Sequence, residues 1–403
     1  MKGFSAAQAW IRAHQQELVD TLIAWVEINS GSSNVVGIEK QVEAIMPLYQ
    51  SWADDMSVEA LPPYTLIDDH GRQQKMQTGP LLRIRKHTGL PKQILLSGHT
   101  DTVFDIEHDF QTARLEGNII RGPGAADMKG GLLVMYAALR ALQETDAADK
   151  FGWEVVLNPD EEIGSFSSRE KLLSAAKNKD FALVFEPAMD EDGTLAGERK
   201  GSSKLTLIVR GKAAHVGRDF AAGANAIVAM TQIVQALHAL NGRREGFILN
   251  IGKIVGGSAV NVVAELVLVR VNIRYAAGED LAWFKQKLNG IKLHWQQEQD
   301  YELTVDEQPS REPKPLVDGN ARLMQQVIAT SKDLGFDLVY KATGGVSDGN
   351  IFWQSGLANV DTLGVYGGGL HSDQEYMLID SMEKRALLTA KMLYDYAHDK
   401  WKL

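Results

Sequence analysis

The chain has 403 residues, enough to bury a large core and to form two domains of ordinary size. It contains no cysteine, so disulfides and thiolate metal sites are excluded and any metal must sit on His, Asp or Glu. A formal net charge of −10 argues against nucleic acid as a partner, and no run approaches the ~18 apolar residues that a membrane span requires.

The first segment, "MKGFSAAQAWIRAHQQELVDTLIAWVEI", reads as an amphipathic helix broken by charges, without the apolar stretch of a secretory signal. The expectation is a cytoplasmic protein. Next come short apolar runs separated by helical patterns. "QILLSGH" (93–99), "WEVVLNPDEE" (153–162) and "FALVFEP" (181–187) read as buried strands, each ending in acidic or histidine residues. Between the first two, "MKGGLLVMYAALRAL" (128–142) is apolar on most faces and reads as a buried helix. Strands alternating with helices predict an α/β domain with a mainly parallel central sheet flanked by helices.

The middle differs. "KLTLIVRGKAAH" (204–215) alternates as a half-exposed strand, and "ANAIVAMTQIVQALHAL" (224–240) carries a helical stripe. Two strands ("FILNIGKIVGG" and "AELVLVRVNIRYA"), a second helix and the strand "YELTVDEQ" follow. The order β-α-β-β-α-β predicts an inserted α+β, ferredoxin-like domain over residues 198–311, with 1–197 and 312–403 forming the α/β domain. "ARLMQQVIATSKDLG" then reads as a helix, "VDTLGVYGGGLHS" as a strand and Gly-rich loop, and "MEKRALLTAKMLYDYAHDKW" as a closing helix.

In an open α/β sheet, ligands bind beyond the carboxyl ends of the strands. His99, Glu161, Glu162, Glu186 and His371 all follow a predicted strand, and Asp127 lies in "RGPGAADMKGG" just before the buried helix. Taken singly, each has a plainer reading: a turn for His-x-Asp, a solvated acidic turn for "DEE", a helix cap for Asp127. Their order and shared place at strand ends join them. So much negative charge at one sheet edge is costly unless a cation neutralises it. Oxygen and imidazole ligands without sulfur suit Zn²⁺, and also Mn²⁺ or Co²⁺. The count suggests two ions, about 3.5–4 Å apart across a bridging carboxylate.

"SGHTDTVF", "RGPGAADMKGG", "NPDEEIGS", "VFEP", "GKAAHVG", "GGSAVNVVAE", "VNIRY" and "GLHS" occur in order along nearly the whole chain. As a set they resemble the co-catalytic di-zinc metallopeptidases and deacylases, which include glutamate carboxypeptidase, acetylornithine deacetylase, succinyl-diaminopimelate desuccinylase and aminoacylase. The pattern is most similar to the glutamate carboxypeptidase branch. The resemblance implies that Asp127 bridges two zinc ions, with His99 and Glu186 completing one site and Glu162 and His371 the other. It implies that Asp101 accepts the second imidazole N–H of His99 and that Glu161 is the general base toward the attacking hydroxide. His215 would reach a substrate across a dimer interface, and Asn261 and Arg274 would grip its carboxylate. Lys200 is a weaker candidate for a side-chain carboxylate. Where that branch has a third Gly followed by Thr-Asp, this chain has Val346-Ser347-Asp348, which leaves the substrate side chain open.

The expected function is a zinc carboxypeptidase releasing a C-terminal amino acid, with glutamate one candidate, or an N-acyl amino acid deacylase. The alternative from another class is a metal-binding dimeric scaffold without catalysis. The substrate would be a small peptide or N-acyl amino acid with a free carboxylate, and the inserted domain would form a homodimer.

Overall fold

Residues 3–401 are described by a computed structural model. Six strands form the main sheet in the spatial order 55–59, 81–86, 152–158, 93–99, 181–184 and 359–360. The last four run parallel to one another, whereas Leu81–Lys86 is antiparallel to both of its neighbours, so the sheet is mixed toward one edge. Gln93–His99 lies between two parallel strands with all its residues buried, which explains an unbroken apolar run instead of an alternating one. Ile94 and Leu96 enter the large core under helices Phe4–Ala13, Gly130–Leu142 and Ile379–Ala397, while Leu95 joins a smaller cluster on the opposite face with Leu172 and Phe352.

The expected strand in "VDTLGVYGGGLHS" shrinks to Asn359–Val360 plus a two-residue pairing at Gly367–Gly368. The reason lies in Asp361, which leaves the sheet register to meet Arg199 and Lys314 at 2.7 and 2.8 Å. Thr362 follows in the left-handed region at φ 62°.

Between these halves, Gly201–Arg210, helix Ala226–His238, Ile248–Gly256, Leu266–Tyr275, helix Gly278–Gln296 and Glu302–Glu307 give the β-α-β-β-α-β order. Their four strands form a separate antiparallel sheet. Leu205, Leu207, Val269, Val271 and Ile273 pack under the two helices. By the alternation of a strand, Lys204, Thr206, Arg270, Asn272 and Arg274 lie on the other, open face. The two chain crossings into this unit pair with each other, Arg199 with Lys314 and Ser202 with Arg311. Burial would raise the Asp361 carboxyl, but Arg199 and Lys314 hold it down to about 2, so the crossings are clamped by a buried charge triad.

A hairpin, Tyr64–Ile67 and Gln73–Met76, reaches from the main domain to the open face of the inserted sheet. Asp69 at its tip meets Arg270 at 2.7 Å and Lys253 at 2.8 Å, and Ile67 packs with Ile208 and Leu268. No helix among the described residues is long and apolar enough to cross a membrane.

Candidate active site and metal centre

Three parallel strands deliver the acidic and histidine residues to one edge. His99 ends its strand, Glu161 and Glu162 follow Gly152–Asn158, and Glu186 follows Phe181–Val184. Asp127 comes from the turn before helix Gly130–Leu142, which two glycines let approach the sheet. A Cβ on Gly98 would stand 2.6 Å from a Leu132 methyl, and one on Gly131 would stand 2.1 Å from the Phe185 carbonyl oxygen. His371 arrives on the Gly-rich loop in a left-handed conformation, φ 60°.

The two Asp127 oxygens face different imidazoles. Oδ1 lies 3.2 Å from His99 Nε2, and Oδ2 lies 3.4 Å from His371 Nε2. Glu186 stands 3.7 Å from His99 Nε2 on the first side, and Glu162 stands 3.3 Å from His371 Nε2 on the second. His371 is 56% exposed and forms the rim, while the others are buried or nearly so. His99 Nε2, Asp127 Oδ1 and Glu162 Oε1 are buried without a hydrogen-bond partner among the described residues. Buried polar atoms are rarely left so, and atoms that converge in this way fit cations between them. Glu161 also lies within ligand distance of His99 and Glu186. Its carboxylate is already neutralised by Arg311, which makes it a poorer ligand than the orphaned oxygens.

His99 Nδ1 meets two acceptors of Asp101. The closer acceptor for His99 Nδ1 is the Asp101 backbone carbonyl, at 2.9 Å, with the carboxylate at 3.4 Å. The carboxylate also accepts from Glu161 N at 3.1 Å, Glu162 N at 3.2 Å and Ser32 Oγ at 2.7 Å. It therefore ties the His99 strand to the Glu161–Glu162 turn. With the proton on Nδ1, His99 would present its Nε2 lone pair to a cation held between it, Asp127 and Glu186.

Two further residues at this edge were not legible as part of it in the sequence. Arg311 donates to Glu161 Oε1 at 2.6 Å, to Ser165 Oγ at 2.7 Å and to Asp348 Oδ1 at 3.1 Å, all buried. It is the cation that the motifs lacked, supplied from the domain crossing. Glu375 accepts from the backbone N–H groups of Ala126 and Asp127, at 3.0 Å each, and so couples the His371 loop to the Asp127 turn. A carboxylate four residues after His371 was the available signal; for Arg311, flanked by prolines and outside any periodic run, there was none.

A cavity of about 220 Å³ opens onto this edge, lined by Glu161, Glu162, His371, Arg274, Arg311 and Lys204. Arg274 thus lines the cavity, half-buried, with its Nη1 unpartnered among the described residues. His215 and Asn261 do not line this cavity. They sit together on the exposed tip of the inserted domain, where Val216 N donates to the Asn261 carbonyl and His215 pairs with Val262. Lys200 is directed elsewhere, with Nζ on the Gly246 carbonyl at 2.8 Å.

The sequence profile of peptidase family M20/M25/M40 matches residues 95–395, a span that holds all these site residues. The chain belongs to this family. Carboxypeptidase G2 of Pseudomonas sp. (strain RS-16) is 30% identical over 315 residues, covering 77% of this chain and 75% of that protein. Succinyl-diaminopimelate desuccinylase of Nitrosococcus oceani is 27% identical over 321 residues, covering 75% of this chain and 83% of that protein. The di-peptidase Dug1p of Saccharomyces cerevisiae shares the fold, with a TM-score of 0.76 over 98% of this chain and 99% of that one at 15% identity. As an M20 family member the protein is a metal-dependent hydrolase of peptide or other amide bonds. The resemblance carried by the motifs is borne out.

The electrostatics of this M20 site call for cations. Burial alone would lower the His99 imidazole, but Asp101, Asp127 and Glu186 outweigh it and hold it well above its usual value. Asp127 and Glu162 hold His371 at about 11. Burial, then the Asp127 charge, pushes Glu162 up to about 8, and burial pushes Glu186 up to about 7. Burial opposes ionisation of Asp127 too, yet His371 and His99 hold it below the usual carboxylate range. Metal ligation needs neutral imidazoles and ionised carboxylates, so protons must leave as a metal enters. The four raised groups keep those protons below their shifted values and shed them above, so metal affinity rises with pH through the neutral range. Calorimetric titration of the metal-stripped protein with Zn²⁺ at pH 7, in two buffers of different ionisation enthalpy, is expected to show net proton release. Identical heats in both buffers would contradict this.

Proposed function

We propose that the protein is a two-zinc amidohydrolase that releases a C-terminal amino acid from a peptide or N-acyl compound. The observation that carries this reading is Asp127, with one oxygen turned to each of two imidazoles and one further carboxylate on each side. His99, Glu186 and Asp127 would hold one ion, and His371, Glu162 and Asp127 the other. Bound there, the ions would polarise the scissile carbonyl and acidify the attacking water.

The chain's own groups do the rest. Burial would raise the Glu161 carboxyl, but Arg311 holds it below its usual value, so it is ionised at neutral pH. It accepts the proton of the attacking water and returns it to the leaving nitrogen. Arg274, with a free donor in the same cavity, binds the substrate carboxylate through a guanidinium fork. Asp101 and Glu375 hold Glu161, Glu162 and Asp127 in place through backbone N–H bonds.

The exposed positions of His215 and Asn261 fit service in a second subunit's site. The inserted domain offers a face for that pairing. Ile227, Val228, Ile248 and Ile254 are exposed on its helix and edge strand. A homodimer through this domain is expected by light scattering of the eluted active protein, and activity at monomer mass would refute it.

Profiling of zinc-loaded protein against dipeptides and N-acyl amino acids tests the function. Release of glutamate from an N-aroyl-glutamate supports the carboxypeptidase reading. Turnover only of N-acetyl- or N-succinyl-diamino acids supports a deacylase, which the desuccinylase relatives favour. No hydrolysis across the panel would leave only a metal-binding scaffold.

A further inference from the structure

The catalytic cavity continues beyond the metal-site residues. Lys204 lines it on one side and, on the other, lines a second cavity of about 350 Å³. This chamber lies between the open face of the inserted sheet and the hairpin: Leu66 and Ile67 form one wall, and Thr206, Arg270, Asn272 and Gln308 the other. Strand register gives its direction. Ser202 pairs with Arg274, Lys204 with Asn272, Thr206 with Arg270 and Ile208 with Leu268. Same-face side chains recur every second residue, about 6.8 Å along the strand. A row of polar groups therefore leads from Arg274, in the catalytic cavity, past Lys204 and Asn272 to Thr206 and Arg270, about 13 Å away. There Ile67, packed on Ile208 and Leu268, closes the end.

The chemistry of the lining is selective. No carboxylate lines the chamber among the described residues. Asp69 offsets Arg270, but among the described residues Lys204 has only the Ile163 carbonyl, at 3.1 Å, as a hydrogen-bond acceptor, with Phe166 beneath it at 5.8 Å. An ammonium group with donors to spare stands at the entrance to a channel that has one apolar wall. We propose that this chamber is a subsite for an elongated, acid-bearing acyl or peptidyl group on the substrate. The acid pairs with Lys204, and the methylenes next to it rest against the apolar wall that Leu66 and Ile67 give the chamber. The inference rests on the amidohydrolase reading of the neighbouring cavity.

The test compares N-acetyl, N-hexanoyl and N-adipoyl derivatives of one amino acid that the protein releases. Adipoyl and hexanoyl have equal length and differ in the terminal carboxylate. The adipoyl compound is expected to show at least tenfold higher kcat/KM than the hexanoyl compound, and Lys204→Met should bring that ratio close to one. Gly252→Trp would fill the chamber, since a Cβ there meets only Asn250 Nδ2 at 3.6 Å and Arg270 O at 3.7 Å. It should lower both long-chain substrates at least tenfold relative to acetyl. Ratios untouched by both variants would overturn the subsite. Calorimetric binding of the same compounds to the Glu161→Gln protein reads the subsite without turnover. Tenfold tighter adipoyl binding supports it and equal Kd values overturn it. Tighter adipoyl binding with no hydrolysis by the unaltered protein would sink the amidohydrolase reading alone.

Discussion

Exchanging Glu161 for glutamine is expected to lower kcat by about 10²–10⁴-fold, the usual worth of a positioned general base, while two equivalents of metal stay bound. The position of residue 161 does not depend on its charge alone. Its backbone N–H is held by Asp101 Oδ1, and an amide oxygen can still accept from Arg311 at the place of Oε1. What the amide cannot do is take a proton. The loss should therefore fall on kcat, with substrate affinity nearly kept, and metal content by elemental analysis should not change. Near-normal turnover would remove Glu161 as the base. A parallel loss of metal would mean that it is a ligand, the role suggested by its closeness to His99 and Glu186.

The acidic and histidine residues gathered at the sheet edge were legible because the fold makes them so. Buried parallel strands are mostly apolar at their centres, and His99, Glu161, Glu162 and Glu186 stand at or just past the ends of three of them. The β-α-β-β-α-β order of the middle segment was legible from one helical stripe and a second helix set among alternating strands. Arg311 was not, because it acts from an irregular crossing where neither period nor motif marks a residue. The hairpin docking was missed as well. "YTLIDDHGRQQKM" carries a turn signal in Asp-His-Gly, but its partner on the open face, Arg270, lies 201 residues away from Asp69. Sequence pattern reports which face a side chain takes; it does not report what crosses to meet that face. The same limit holds for Asp101: the resemblance implied its bond to the His99 imidazole, but not the backbone N–H groups of Glu161 and Glu162 that its carboxylate also accepts.

Asp127→Asn is expected to reduce bound metal below two equivalents and to lower activity at least about 10³-fold, since an ion in such a site contributes several kcal/mol of charge stabilisation. The substitution keeps the volume of the side chain. Glu375 still accepts from the backbone N–H groups of residues 126 and 127, so the turn should stay in place. The change is confined to the two side-chain atoms that face the imidazoles. One of them becomes an NH₂ group, which repels a cation and cannot ligate, so whichever side it faces loses its shared anion. Thermal unfolding gives a readout apart from activity. A ligand that binds only the folded state raises Tm by mass action, so Zn²⁺ should stabilise the unaltered protein strongly and the variant much less. Without metal the order is set by Asp127 itself. Its lowered carboxyl contributes stability above its unfolded value and loses it as pH falls through the folded one, so at pH 7 the stripped variant should melt below the stripped parent. Should the variant bind two ions and gain the full Tm increment, Asp127 would not be the shared ligand, and the pairing of His99 with Glu186 and of His371 with Glu162 would have to rest on another bridge.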